Sequence, residues 1–139
     1  MTRLRAAVTC DTSVLIPALI GWHPRHDDAR QHVTTDVTTL PAHVLLEAYS
    51  VLTRLPAPHR LRPIAAAEAL ALITLPVIGL PPQDVSSLVA SLAQHGVSGG
   101  ATYDALVGAS ALAHDAELLT SDRRARTTYD ELGVRYRVV

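Results

Sequence analysis

Short apolar segments alternate with longer helix-forming segments along this chain, and this alternation restricts its fold more than any other feature. The segments predicted as strands span residues 4–10, 35–40, 77–80, 117–120 and 134–139. The segments predicted as helices span residues 14–20, 24–33, 41–54, 63–75, 81–94, 102–114 and 123–132. Strands that alternate with helices favour a mostly parallel central sheet with helices on both faces. We therefore predict an α/β fold.

Capping residues and prolines set several of the predicted helix ends. Asp11 offers a capping oxygen directly after the first strand, and Thr102 is a good N-cap for the helix that follows it. Pro17 is tolerable if it lies near the first turn of its helix, because a proline there removes no helical hydrogen bond. Gly133 is predicted to end the last helix.

The length and composition predict one well-packed domain over residues 1–139. A chain of 139 residues can bury a sizeable core without disulfides or metal staples. Hydrophobic residues make up 48% of the chain and charged residues 18%, which argues against disorder. The formal net charge of -1 is mild evidence against a protein that binds nucleic acid tightly and non-specifically.

Two residue types exclude several classes of protein. The chain contains no Lys, so a standard P-loop and Schiff-base chemistry are both impossible. The only cysteine, Cys10, excludes an internal disulfide framework and a cysteine-rich zinc site. We predict that Cys10 is a small buried side chain at the end of the first strand.

The distribution of apolar residues argues against export and membrane insertion. Asp11 interrupts the first apolar run too early for a signal peptide. Glu68 and Pro76 interrupt the apolar stretch 64–80, which is also shorter than the roughly 20 residues of a spanning helix. We predict a helix and a short strand there, no membrane association and a cytoplasmic protein.

Four acids stand out by their positions in the predicted elements. Asp11 and Asp122 follow strands directly, where ligands of parallel sheets collect, although either could serve only as a helix N-cap. Asp104 lies in the first turn of a helix, where it could simply complement the helix dipole. Glu47 lies mid-helix among apolar residues, and the alternative for it is a side chain that reaches solvent or pairs with His43 or Arg54.

Together these four acids predict one metal-dependent site. Carboxylates held close together repel one another unless a cation neutralises them. Oxygen ligands without His or Cys favour Mg²⁺ or Mn²⁺. Such an ion activates water and stabilises charge on a leaving oxygen, so the predicted chemistry is phosphodiester hydrolysis without a protein nucleophile.

At these residues the chain resembles the PIN-domain family, and more narrowly the VapC-type toxins of bacterial toxin–antitoxin pairs. The start Val-Thr-Cys-Asp-Thr-Ser-Val-Leu is similar to the first family motif, and Leu-Leu-Glu-Ala-Tyr-Ser-Val-Leu-Thr-Arg is similar to its helical Glu motif. The most specific stretch is 102–124, with an acid, an apolar helix, a strand and a Thr-x-Asp ending in that order. The tail 129–134 also fits, so the likeness covers essentially the whole chain.

The resemblance implies a PIN-like three-layer α/β/α domain and a set of functional residues. It implies metal ligation by Asp11, Glu47, Asp104 and Asp122, with Ser13 and Thr120 orienting ligands or water through their hydroxyls. It further implies cleavage of RNA with Mg²⁺ or Mn²⁺, a homodimer, and neutralisation by a cognate antitoxin.

Two other enzyme or signalling classes that begin with an acid after the first strand do not fit these residues. A haloacid-type phosphatase needs an acid two residues after the first Asp, where this chain has Ser13, and both that enzyme and a response-regulator receiver need a Lys. A non-catalytic PIN-like module that binds RNA or protein remains the alternative. The intact set of four acids argues against it.

Several other polar residues are predicted to lie on the surface. Asp115 and Glu117 are interpreted as surface acids, and His23 and His26 as surface residues, because Pro24 disturbs the regular spacing that a metal site needs. Trp22 could stack on a base but is better explained as a loop anchor. The arginines that could attract an anionic substrate locally are Arg123, Arg124 and Arg126 beside Asp122, with Arg54, Arg60 and Arg62 as further candidates.

Overall fold

The computed structural model describes residues 5–139. Its strands are β1 (Val8–Cys10), β2 (Leu40–Pro41), β3 (Val77–Ile78), β4 (Glu117–Thr120) and β5 (Tyr136–Val138). Its helices are α1 (Thr12–Leu19), α2 (His26–Thr35), α3 (Ala42–Thr53), α4 (Pro63–Ala71), α5 (Val85–Gln94), α6 (Ala101–Ala113) and α7 (Arg126–Glu131). A short 3-10 turn, Pro82–Asp84, precedes α5.

The strands form two parallel ladders that lie side by side. In the first ladder β4 lies between β1 and β5, and in the second β2 pairs with β3. Cys10 stands opposite Leu119, so β1 and β4 end at the same edge of the sheet. The N–H groups of Thr38 and Thr39 donate to the Val8 carbonyl oxygen over 2.8 and 3.1 Å, which joins the ladders. The predicted α/β fold with a parallel sheet is confirmed.

The strand predicted at 35–40 is wrong. Helix α2 continues through Thr35, and the strand consists of Leu40–Pro41. The prediction rested on the β-branched residues of this segment, but their hydroxyls replace part of the ladder. The Thr38 hydroxyl accepts the Val8 N–H over 2.9 Å. In a regular ladder, a backbone carbonyl oxygen of the neighbouring strand would accept that N–H. Tertiary contacts therefore override the local preference for extended structure.

Several helix starts also differ from their predictions, among them those of α2, α5 and α7, which begin at His26, Val85 and Arg126 and not at residues 24, 81 and 123. Helix α1 begins two residues earlier than predicted, so Pro17 lies in its second turn and not in its first. Gly100 occupies the N-cap position of α6 without a side-chain bond, so the prediction of Thr102 as N-cap is wrong. The first predicted strand began at residue 4, which lies outside the described residues, and the strand observed there is Val8–Cys10.

The apolar stretch 64–80 divides as predicted into a helix and a short strand. It contributes most of α4 and all of β3, with Pro76 between them. Within residues 5–139, no helix combines the length and the hydropathy that crossing a bilayer requires.

The main core lies between the parallel sheet and the helices packed on it. Cys10 is 0% exposed, as predicted, and so is Tyr129 of α7. Helix α6 needs a glycine where it meets this core. A Cβ atom on Gly108 would lie 2.8 Å from Val134 Cγ2 and 3.3 Å from Tyr129 Cδ1. The absence of a side chain at this position lets the Tyr129 ring lie flush against α6.

Candidate functional site

Asp11 lies where β1 ends and α1 begins, at the edge of the sheet where β4 also ends. Its N–H donates to the Leu119 carbonyl oxygen over 3.1 Å, which holds the start of α1 against β4. Its Oδ1 accepts the Ser13 N–H over 3.1 Å and so caps α1. The capping role that we considered as the alternative is therefore present. Capping alone does not explain the position of the Asp11 carboxyl, because Asp11 also lines a cleft with three other acids.

Two hydroxyls hold the Asp11 carboxyl in place. Thr120 Oγ1 donates to Asp11 Oδ2 over 2.5 Å, and the Ser13 hydroxyl donates to Oδ1. The same hydroxyls also accept backbone N–H groups of the loop after β4. Thr120 Oγ1 accepts the Asp122 N–H over 3.1 Å, and Ser13 Oγ accepts the Ser121 N–H over 2.8 Å. Ser13 and Thr120 thus connect Asp11 with the loop that carries Asp122.

Two residues of this network were missed by the sequence analysis. Tyr129 donates its hydroxyl to Asp11 Oδ2 over 2.8 Å, and Thr12 donates its hydroxyl to Glu47 Oε2 over 2.9 Å. A buried tyrosine needs an acceptor for its hydroxyl, and that rule could have drawn attention to Tyr129. Nothing in the local sequence indicates that the acceptor lies 118 positions earlier.

Glu47 projects from the middle of α3 with its side chain 41% exposed. Of the two partners considered for it, His43 is present, with Nε2 3.6 Å from Glu47 Oε2. Arg54 forms no ion pair with it in the described part of the chain. The bond from Thr12 and the partly open surface explain how an acid is tolerated among the apolar residues of α3.

Asp104 and Asp122 complete the set of acids from two further segments. Asp104 lies in the first turn of α6, which packs against α3. Asp122 lies two residues beyond β4, where its Oδ1 accepts the Arg124 N–H over 2.9 Å. The Arg124 guanidinium lies 4.0 Å from the same oxygen, but its side chain is 98% exposed, so water screens most of that attraction.

All four acids line one narrow cleft of about 70 Å³. The remaining lining residues are Thr12, Ser13 and Val107. Burial, followed by the charges of Asp122, Asp11 and Glu47, raises the pKa of Asp104 to about 6. Burial also raises the pKa of Asp11, although the hydrogen bonds that it accepts oppose this shift. The cleft therefore concentrates negative charge that a bound cation would stabilise.

The donor set of this cleft fits a hard divalent cation. Carboxylate and hydroxyl oxygens are the ligands that Mg²⁺ and Mn²⁺ prefer. Across residues 5–139, no three His, Cys, Asp or Glu side chains stand close enough to ligate one ion directly. Mg²⁺ does not require this, because it keeps several waters and takes one or two carboxylates directly. The remaining acids can then bind through water.

Removing the charge of Asp104 should stabilise the metal-free protein at neutral pH. The pKa of Asp104 is higher in the folded chain than in the unfolded chain, so the folding free energy becomes less favourable as the pH rises from about 4 to about 6. We expect metal-free Asp104→Asn to be about 1–2 kcal/mol more stable than the wild type at pH 7.5, after allowance for partial exposure. The gain should vanish near pH 4. Urea unfolding in EDTA at both pH values measures this, and an equal or lower stability at pH 7.5 would contradict it.

Asp115, Glu117 and Trp22, which were also singled out in the sequence, do not line the cleft. Asp115 is 94% exposed and Glu117 31% exposed at the start of β4, where they pair with Arg135 and Arg137. Trp22 is 54% exposed, with its ring 4.1 Å from that of His59. The arginines predicted to attract substrate are all exposed: Arg54, Arg60, Arg62, Arg123, Arg124 and Arg126.

The histidines near residue 23 are held by local bonds. His23 Nδ1 accepts the Arg25 N–H over 3.0 Å, and His26 Nδ1 lies 2.9 Å from the Pro17 carbonyl oxygen. Both rings are partly exposed. Within residues 5–139 they belong to no group of three or more potential metal ligands.

Comparisons with known proteins agree with this architecture. The family model of the PIN domain matches residues 8–131. Ribonuclease VapC40 of Mycobacterium tuberculosis is 46% identical over 130 residues, which cover 93% of this chain and 96% of that protein. Ribonuclease VapC27 of the same species is 40% identical over 131 residues, which cover 94% of this chain and 96% of that protein.

Solved structures show the same fold at lower identity. The crystal structure of VapC20 from Mycobacterium tuberculosis, described as a sarcin-ricin loop cleaving toxin, superimposes with a TM-score of 0.70 and 20% identity, covering 92% of this chain and 96% of that one. A DNA-bound VapBC structure from Salmonella typhimurium gives a TM-score of 0.66 and 22% identity, covering 96% and 98%.

The chain therefore belongs to the PIN-domain family and has its three-layer α/β/α fold. Its similarity to the two ribonucleases over nearly their full length makes it a VapC-type member of that family. The resemblance inferred from the sequence motifs is confirmed.

Proposed function

We propose that this protein is an endoribonuclease that hydrolyses RNA phosphodiester bonds with a divalent cation, Mg²⁺ or Mn²⁺, and acts as the toxin of a type II toxin–antitoxin pair. The observation that carries the proposal is the cleft in which four carboxyl groups from four separate segments meet. The names of the two similar ribonucleases support the same activity.

In this proposal Asp11, Glu47, Asp104 and Asp122 hold the cation. A bound Mg²⁺ or Mn²⁺ would supply Lewis-acid stabilisation of charge on the phosphate and activation of water. Asp11 is the most firmly held acid, since donors from three elements fix both of its oxygens. Such preorganisation matters because a ligand that is already oriented needs no rearrangement when the charge develops.

The residues around the acids have positioning roles. Ser13 and Thr120 orient Asp11 and hold the loop of Asp122, and the hydroxyl of Thr12 directs Glu47 into the cleft. The exposed arginines 123, 124 and 126 next to Asp122 supply positive charge for the flanking phosphates. This local charge compensates for the net charge of -1 of the whole chain.

The proposed partners are an RNA substrate, a cognate antitoxin and a second copy of this chain. Structures of similar fold are described as VapBC complexes bound to DNA, one from Salmonella typhimurium and one from Rickettsia felis bound to a promoter fragment. These support the antitoxin as a partner. The homodimer rests on the family resemblance alone, and the cytoplasmic location is the prediction made from the sequence.

Metal removal tests the proposed activity. Purified protein should cut labelled RNA in Mg²⁺ or Mn²⁺, show no cleavage above background in excess EDTA, and regain its activity when either ion is restored. The physical reason is that four acids crowded in one cleft neither bind phosphate nor activate water without a cation. Cleavage that persists in EDTA contradicts metal dependence, and RNA binding without cleavage in any metal would favour the non-catalytic module.

A further inference from the structure

A second cavity opens directly beside the acidic cleft. It has a volume of about 450 Å³ and is lined by His43, Leu46, Glu47, Ser50, Gly100, Tyr103 and Asp104. Glu47 and Asp104 belong to both spaces. A group that occupies this cavity therefore lies next to whatever is bound between the four acids.

One side of this cavity carries a pair of stacked aromatic rings. His43 of α3 and Tyr103 of α6 have ring centroids 5.2 Å apart and planes that differ by only 5°. Tyr103 is nevertheless 57% exposed, so stacking on His43 orients its ring without burying it. His43 is itself positioned by Glu47, 3.6 Å from its Nε2. Two helices thus present a preorganised flat surface at the edge of the cleft.

The chemistry of the cavity selects a flat, uncharged group. Leu46 adds an apolar side chain that is 72% exposed, and Glu47 and Asp104 add negative charge to the cavity wall. The neutral π-face of a base carries no charge for these acids to repel. Unpaired nucleobases are commonly bound by stacking on aromatic side chains, and this contact tolerates any base.

We propose that His43 and Tyr103 form a stacking platform for the nucleobase adjacent to the phosphate that is cleaved. The inference rests on the proposed ribonuclease function and assigns part of its substrate-binding site. It implies that the substrate is single-stranded or locally unpaired at the cleavage point, because a base within a duplex could not reach the platform. An arginine of a protein partner is the competing occupant, since the two acids would attract it.

The first test compares substitutions at Tyr103. We expect Tyr103→Ala and Tyr103→Leu to lower kcat/KM for RNA cleavage by about 10- to 100-fold, mainly through KM, because both remove the π-face. Tyr103→Phe should stay within about threefold of the wild type. Tyr49→Ala is the matched control, since Tyr49 lies on α3 and is 37% exposed but does not line the cavity. Equal activity of Tyr103→Leu and the wild type would overturn the proposal.

The second test removes the base and not the side chain. The RNA is made with a single abasic nucleotide at each position around the cleavage point. At one position, the abasic nucleotide should lower the kcat/KM of the wild type by about the same factor as Tyr103→Leu does with intact RNA. The same abasic RNA should lower the kcat/KM of Tyr103→Leu little further, since both changes remove the same contact. If the losses in kcat/KM from the abasic nucleotide and from Tyr103→Leu multiply at every position, the two changes are independent and the proposal is overturned. A Tyr103 variant that loses only the capture of a protein partner overturns it too.

A binding measurement separates this inference from the proposed activity. Fluorescence anisotropy of the same RNA set is measured with Asp11→Asn and with Asp11→Asn combined with Tyr103→Leu, so that no cleavage intervenes. Failure of the wild type to cleave any RNA rejects the proposed function. The anisotropy comparison still decides the platform, which is rejected if intact and abasic RNA bind both proteins equally.

Discussion

Replacing Asp11 by Asn should leave the protein folded and reduce RNA cleavage about 1,000-fold. The amide keeps a capping oxygen for α1 and nearly the same shape, so the local structure should survive. It removes the negative charge of the acid whose two oxygens are fixed by Ser13, Thr120 and Tyr129. The loss of several kcal/mol of cation and transition-state stabilisation corresponds to that factor in rate.

Asp115→Asn is the matched control for this substitution. It makes the same chemical change on a side chain that is 94% exposed, and its backbone φ of 50° suits Asn. We expect normal cleavage from this variant. Initial rates with Mn²⁺, together with thermal unfolding of both variants, check the prediction. An Asp11→Asn protein that is folded and cleaves at more than about a tenth of the wild-type rate would remove Asp11 from the catalytic set.

Replacing Gly108 by Val should destabilise the protein by about 3 kcal/mol and lower its melting temperature by about 10 °C. Even a Cβ atom at this position would lie 2.8 Å from Val134 Cγ2 and 3.3 Å from the Tyr129 ring. A branched side chain must therefore push α7, or the segment around Val134 that precedes β5, away from α6. Because the Tyr129 hydroxyl bonds Asp11, the same displacement should reduce cleavage in protein that remains folded.

Ala113→Val separates steric conflict from helix propensity. Ala113 lies on the same helix and is exposed, so valine there should lower stability by only about 0.5 kcal/mol. Gly108→Ala should fall between the two, since the gain in helix propensity offsets part of the clash. Denaturant unfolding of the three variants gives the order. Equal stability of Gly108→Val and Ala113→Val would contradict the prediction, because it would mean that the core accommodates the larger side chain without loss of unfolding free energy.

The positions of the acids could be predicted because parallel strands impose them. Strands of one parallel sheet end at the same edge, so acids after β1 and β4 must lie near each other. Glu47 could be found because a carboxylate among apolar helix residues is unfavourable unless it is paired or has a function. The network around these acids could not be predicted, because the bond from Tyr129 to Asp11 depends on how α7 packs against α6. No local pattern records that packing.

The segment 35–40 shows a second limit of sequence reasoning. Its β-branched residues favour a strand, yet Thr38 and Thr39 bond Val8 through a mixture of hydroxyl and backbone groups. The stacked pair of His43 and Tyr103 has the same character, since the two residues come from helices far apart in the chain. Both features follow from tertiary contacts, which a single sequence does not specify.

The rate at which a thiol reagent modifies Cys10 should report how often the core next to Asp11 opens. Burial, with a smaller contribution from the charge of Asp11, raises the pKa of its thiol, so the folded protein presents no reactive thiolate. A thiol reagent can modify it only while the core packed around Cys10 is open to solvent. Because the chain has one cysteine, the rate of modification reports local opening of the core next to Asp11, with and without added cation.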